Sequence, residues 1–141
     1  DADGENHVAW CATDLTRPSR PIIGAAHAIR TETDGVADFA LGVVDAYHGQ
    51  GVARLLIGAL LLQSRAQGVT GFTAQVLLEN NKARGLFKAL GSVVTERDGP
   101  VATLSFDTAM MQHRLIAMPG ALGLEDVFSS SGETERVARP A

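Results

Sequence analysis

The stretch His48-Gly49-Gln50-Gly51-Val52-Ala53 joins an apolar segment ending at Asp45 to another running from Val52 to Leu62, broken only by Arg54. The glycines at 49 and 51 stop the first segment and permit backbone conformations closed to other residues. Leucine and alanine dominate the second, which favours helix. A strand that ends in glycines and feeds a helix aims several amide N–H groups at one point, where the helix dipole adds partial positive charge. An anion such as a pyrophosphate is favoured at such a turn, and the absent Cβ atoms let it come close. Two nucleotide templates fail. The dinucleotide fingerprint needs a third glycine where Arg54 stands. The Walker loop needs a Gly-Lys-Ser/Thr that does not follow. A short glycine turn can also be no more than a tight strand-to-helix connection.

Upstream of the turn, His7–Asp14, Pro21–Thr31 and Val36–Asp45 read as three strands. Thr16–Pro21, with two prolines and two arginines, and Glu32–Gly35, ending in Asp-Gly, read as the turns between them. The third strand lacks regular alternation beyond Phe39, so both its faces are expected to be covered. Downstream, Val52, Leu55, Leu56, Ala59 and Leu60 follow helical spacing, and Ile57, Leu61 and Leu62 widen the stripe. This helix is expected to be largely buried and to stop near Gly68. Gly71–Leu78 reads as a strand. Asn80 or Asn81 can cap a helix running to about Leu90, with Gly91 ending it. Ser92–Asp98 and Val101–Asp107 read as strands joined at Asp98-Gly99-Pro100. The order is β-β-β-α-β-α-β-β. Met110–Met118 is apolar enough to pack on something, and Ser129–Ala141 is polar and expected to be mobile.

The 141 residues suit one domain, with 45% hydrophobic and 20% charged residues and a net charge of −4. That balance lacks the basic footprint of a nucleic-acid binder. The single cysteine, Cys11, excludes an internal disulfide and suits a reducing compartment. Val52–Leu62 is too short to span a bilayer and lies mid-chain, so it is neither a membrane helix nor a signal peptide. The expectation is a cytoplasmic protein with no membrane partner; self-association is left open. No metal-ligand spacing is present.

A second signal lies at Asn80, Ala83, Phe87 and Gly91, spaced N-x-x-A-x-x-x-F-x-x-x-G. Alone it describes a capped helix with a core phenylalanine. Taken with His48-Gly49-Gln50-Gly51-Val52-Ala53, the order and spacing resemble the GNAT superfamily of N-acetyltransferases. That superfamily writes its coenzyme loop Arg/Gln-x-x-Gly-x-Gly/Ala and its later helix N-x-x-A-x-x-x-Y. Here histidine opens the loop, Phe87 replaces the tyrosine, and Ser92 replaces the phenylalanine after Gly91. The resemblance covers about residues 7–107. It is nearer still to the cyclic-AMP-regulated protein lysine acetyltransferases of mycobacteria, through Val36-Ala37-Asp38-Phe39-Ala40, Val44-Asp45-Ala46-Tyr47 and Leu56-Ile57-Gly58-Ala59-Leu60. That subfamily also lacks the tyrosine, and carries a glutamate, taken as the catalytic base, where this chain has Asp38.

The resemblance implies an α/β (α+β) acyl-CoA N-acyltransferase fold: a mixed, mostly antiparallel sheet flanked by helices, with the coenzyme entering where the third and fourth strands splay. Residues 1–107 would be the acetyltransferase core and 108–141 a C-terminal extension, partly mobile. The superfamily's first strand and two helices would be missing before Asp1. Acetyl-CoA is the implied co-substrate, with no metal. The backbone of Leu41, Gly42, Val43 and Val44 would pair with the pantetheine arm. His48, Gly49, Gln50, Gly51, Val52, Ala53 and Arg54 would form the pyrophosphate turn. Asn80 would contact the pantetheine and Phe87 would pack beside it. An amine with a pKa near 10.4 is short of its free base at pH 7 by roughly 3.4 units, about 4.6 kcal/mol, so a base is needed. Asp38, an acid in an apolar strand, is the candidate; it could instead be a strand-end residue facing solvent. A strand amide such as that of Val43 is the candidate oxyanion donor. His27, His48, His7, His113 and Cys11 are weaker candidates, each read more simply as packed or solvent-facing. The acceptor partner expected is a protein lysine, then a small-molecule amine. A coenzyme A-binding regulatory or assembly module without catalysis is the rival.

Overall fold

The computed structural model describes residues 6–44, 47, 51–118 and 138–139. His7–Thr13 (β1), Ile22–Arg30 (β2) and Val36–Val43 (β3) form an antiparallel meander. Thr31 N–H donates to Val36 O at 2.9 Å across the β2–β3 turn, where Gly35 takes φ 76°. Helix α1 (Val52–Ala66) then crosses over to Gly71–Leu77 (β4), which lies parallel to β3. A parallel neighbour needs such a crossover, because no short turn can reverse the chain twice. Helix α2 (Asn81–Ala89) leads into the hairpin of Val93–Asp98 (β5) and Val101–Asp107 (β6), and β6 pairs with β4. Helix α3 (Thr108–Ala117) follows, and Ala138–Arg139 (β7) pairs with β1. The sheet order is β5-β6-β4-β3-β2-β1-β7.

Every sequence-predicted strand and helix is present, with boundaries within two residues. Gly68 and Gly91 both take φ 90° just past the ends of α1 and α2, the left-handed stop that glycine adopts without steric cost. Met110–Met118 belongs to α3, which packs against α1 and β6; Met111 and Leu115 are wholly buried. Most of the polar stretch 129–141 lies outside the described residues.

One expectation is corrected. β3 is not covered on both faces: Ala37 and Phe39 are buried, while Asp38, Ala40 and Gly42 are exposed. The cross-strand register extends this division over the sheet. Val8, Trp10 and Ala12 of β1, Gly24, Ala26 and Ala28 of β2, Phe72, Ala74 and Val76 of β4, and Ala102, Leu104 and Phe106 of β6 join the same buried side. The helices seal that side in a single core with Leu56, Ile57, Leu60 and Leu61 of α1, Phe87 of α2 and Met111 of α3. Trp10 Nε1–H donates to Gln63 Oε1 at 2.8 Å, tying α1 to β1. The opposite face carries Ala9, Cys11, Ala25, His27, Ala40 and Gly42, and among the described residues no helix covers it. Small apolar side chains read as buried by hydropathy although their face is open. No helix among the described residues is long and apolar enough to cross a membrane.

Close approach of α1 to the sheet fixes one position tightly. A Cβ on Gly24 would stand 2.9 Å from Leu56 Cδ1 and 3.1 Å from Gly42 O. Gly24→Ala is expected to lower stability by about 1–3 kcal/mol, the cost of overpacking. An unchanged urea midpoint would show that α1 withdraws freely.

Candidate functional site

β3 and β4 pair over only three residues: Val36 with Gly71, Ala37 with Phe72, and Asp38 with Thr73. Beyond them the strands part, and a cavity of about 590 Å³ occupies the gap. Phe39–Val43 line it from β3 and Ala74–Leu77 from β4. Because both runs contribute inward-facing and open-facing side chains, the cavity passes through the sheet. Its wide end is bounded by Tyr47, Gly51–Arg54 at the start of α1, and Asn80, Lys82, Ala83, Leu86 and Phe87 from the α2 region.

Backbone groups alternate in direction along a strand. Val44 N–H donates to Ile23 O of β2 at 2.8 Å, so the amides of Leu41 and Val43 face the cavity. Val44 itself is 49% exposed and outside the lining, and its amide bonds to β2.

Of the turn, His48, Gly49 and Gln50 lie outside the described residues. Gly51, Val52, Ala53 and Arg54 all line the cavity. Gly51 is the N-cap of α1 at φ 80°, ψ 3°, with no side chain to cap the helix, and the first turn holds no acid. The opening amides of a helix lack acceptors within it, so this end can offer N–H donors and dipole charge to an anion. Arg54 and Lys82 bring two cations to the same rim.

Asn80 lines the cavity and is the N-cap of α2; its Oδ1 accepts from Ala83 N–H at 3.1 Å. Phe87 is both core and lining, with its ring 5.6 Å from those of Phe39 and Phe106. Asp38 stands just beyond the lining, at the closed end of the gap, exposed on the open face, with Thr73 Oγ1 donating to its Oδ1. His27 lies on that same face two residues along β2 from Ile29, the partner of Asp38, and its ring meets that of His7 edge-on at 5.5 Å. Cys11 is a half-buried free thiol. Among the described residues no cluster of His, Cys, Asp or Glu could hold a metal.

Two residues, Lys82 and Thr73, escaped the sequence reading, and Tyr47 entered it without a role. Lys82 is two positions after the cap, where a cation could have been sought once a phosphate was in mind. Thr73 becomes visible only through strand register. Tyr47 is the single tyrosine of the chain and adjoins the turn. Its hydroxyl donates to Asp14 Oδ2 at 2.6 Å, clasping the β1–β2 loop to the segment entering α1.

A fold with this splayed sheet and an anion-accepting helix start defines an acyl-transferase scaffold, and residues 3–91 match the acetyltransferase (GNAT) family model. The chain belongs to that family. It is 31% identical over 108 residues to the acetyltransferase Pat of Mycolicibacterium smegmatis, covering 76% of this chain and 32% of that protein. It therefore spans about a third of that relative's length. A cAMP-binding acyltransferase structure from Mycobacterium smegmatis superposes with a TM-score of 0.68 at 26% identity, over 95% of this chain and 40% of the other. The GNAT domain of S. lividans PAT gives 0.66 at 27% identity, over 76% and 64%. A chimera of the spermidine N-acetyltransferase SpeG from Vibrio cholerae and hSSAT shares the fold, with a TM-score of 0.60 at 21% identity over 77% and 70%.

The clasp gives the site a pH dependence. The Asp14 carboxyl is held below its ordinary 3.8 by the Thr16 hydroxyl first, then by the Tyr47 hydroxyl and the Thr16 amide; burial opposes them, and the Arg17 charge adds the least. A depressed carboxyl stabilises the fold fully above the unfolded value, and that contribution is lost as pH falls from 3.8 through the folded value. Tyr47→Phe is expected to flatten the acid side of a plot of melting temperature against pH. An acid limb identical to wild type would count against the clasp.

Proposed function

We propose that this chain is the catalytic domain of an acetyl-CoA-dependent N-acetyltransferase that passes acetyl directly to a primary amine, first of all a protein lysine. The observation that carries the reading is the through-sheet cavity, with its anion-accepting end at Gly51–Arg54 and Lys82 and its closed end beside Asp38. Acetyl-CoA fits this shape. Its pyrophosphate suits the amides at the start of α1, and its pantetheine arm can run along β3 in the place of β4, pairing with the cavity-facing Leu41 backbone. Phe87 and Leu86 offer apolar contact along the arm. The thioester would then lie where β3 and β4 converge, with the acceptor amine arriving from the open face. The lysine preference is supported by the acetyltransferase Pat relative; the spermidine enzymes share the fold alone.

The residues act on the amine and on the oxyanion. Asp38 takes one proton from the acceptor ammonium, freeing the nitrogen lone pair to attack the thioester carbonyl carbon. The carbonyl oxygen gains the π electrons and is met by a cavity-facing strand amide nearer the closed end than that of Val43, such as that of Leu41. As the tetrahedral centre collapses, the carbon–sulfur bond breaks, the nitrogen gives up its second proton, and the thiolate leaves as a thiol. Asp38 then returns its proton to water. Direct transfer fits a site in which no nucleophilic side chain lines the closed end of the cavity among the described residues.

One observation favours a second reading, a coenzyme A-binding module without catalysis: Asp38 stands outside the cavity lining. Turnover of acetyl-CoA with a lysine peptide separates the two. Asp38→Ala is expected to lower kcat by about 100-fold or more, within the usual range for loss of a general base, with coenzyme A affinity intact. Equal rates would remove Asp38 from the mechanism, and absence of wild-type turnover with tight coenzyme binding would favour the module.

Gly51→Val tests the anion-binding end. Nothing lies within 4 Å of a Cβ built there, but φ is +80°, so the cost is backbone strain of about 1–2 kcal/mol with no clash. Coenzyme A affinity is expected to fall roughly tenfold or more while the domain stays folded, as titration calorimetry and circular dichroism would show. Unchanged affinity would sink the phosphate assignment.

A further inference from the structure

We propose that Thr73 is a positioning residue for the base: its hydroxyl fixes the Asp38 carboxylate, with one oxygen left for the acceptor ammonium. The inference rests on the reading of Asp38 as the base.

Asp38 and Thr73 are the last of the three parallel pairs that hold β3 and β4 together. Directly after them the strands part, so the pair marks the inner end of the cavity. Their side chains share the open face, and Thr73 Oγ1 donates to Asp38 Oδ1. Among the described residues no other side chain bonds that carboxylate. Asp38 is exposed, while Thr73 is half-buried. An exposed aspartate turns freely about two bonds, whereas a β-branched threonine in a strand is restricted at its first torsion. The stiffer partner therefore sets the orientation of the freer one. With Oδ1 taken by the hydroxyl, Oδ2 remains to receive the proton.

The spacing makes this hold necessary. Aspartate has a single methylene, so its carboxylate stays close to the β3 backbone and cannot reach after a misplaced amine. Efficient proton transfer needs donor and acceptor within hydrogen-bond reach, and small misplacements near a reacting centre lower rates steeply. A threonine that merely strengthened the sheet would act on folding, leaving the chemical step alone.

The test compares the wild-type chain, Thr73→Val, Thr73→Ser, Asp38→Ala and the double variant Asp38→Ala/Thr73→Val, with acetyl-CoA and a lysine peptide. Thr73→Val keeps the branched shape without the hydroxyl and is expected to lower kcat about tenfold, with KM for acetyl-CoA unchanged. Thr73→Ser should restore most of the rate. In the Asp38→Ala background, Thr73→Val should cost nothing further. Full activity of Thr73→Val, or an equal loss in the Asp38→Ala background, overturns the proposal. If Asp38→Ala keeps wild-type activity, the base reading itself fails, a different outcome. One readout needs no turnover: the side-chain carboxyl carbon resonance of Asp38 should move in Thr73→Val and stay in place in Thr73→Ser. A resonance that is unmoved in Thr73→Val also overturns it.

Discussion

The parting of β3 from β4 after Asp38 and Thr73 is the constraint on which the rest depends. A sheet interior does not leave backbone amides and carbonyls unpaired without cost, so a gap between two central strands must be held open. Phe39, the first residue past the last pair, is buried among the rings of Phe72 at 5.2 Å, Phe106 at 5.3 Å and Phe87 at 5.6 Å. Aromatic pairs at these separations contribute about 0.5–1.5 kcal/mol each beyond burial of their area. The cluster draws α2 down over the helix side of the gap, and the start of α1 closes the other flank. The backbone edge of β3 is thus left facing a cavity whose shape suits an extended ligand that can itself supply hydrogen bonds.

The helices all lie on one side, and the cross-strand rows on the other are built mostly from small or polar residues, with Ile29 an exposed exception. Cys11, Ala25 and Gly42 form one row, Ala9, His27 and Ala40 the next, and Ile29, Asp38, Thr73 and Ser105 another. This asymmetry separates two tasks in space. The helix starts that line the wide end belong to the covered side, while Asp38 belongs to the open side. A cavity running through the sheet is what lets the two meet.

Much of this was legible in the chain itself. Asp-Gly at 34–35, glycines at 68, 91 and 99, and the Asn80 cap are local signals, and local backbone chemistry decided them: all four glycines take positive φ, and Asn80 caps α2. The family pattern around Gly51 and Phe87 then placed the two halves of the site together. The failures were of two kinds. Hydropathy misread β3 because alanine and glycine count as apolar whether a face is covered or bare. Pairwise geometry stayed hidden because the Asp38–Thr73 bond spans 35 residues and the Tyr47–Asp14 bond spans 33, and no periodicity within either segment encodes a partner in the other. Helix α3 fell between these: its apolar residues were plain, but its Asp107 cap closed a strand and so concealed the start of the helix.

On the proposed reading, coenzyme binding and catalysis can be lost separately in such a fold. Much of what shapes the cavity is part of the core or of a helix start: removing Phe39 or Phe87 would open the aromatic cluster, and Gly24 and Gly51 answer to packing and backbone conformation. Asp38 and Thr73 carry little of that burden. They sit on the open face, exposed and half-buried, so exchanging them alters few packed contacts. On that reading Asp38 could be lost and the ligand kept with almost no change in stability. A carboxylate on the open face, bonded to a hydroxyl at the register position where the strands close, is therefore more economically explained by chemistry than by folding.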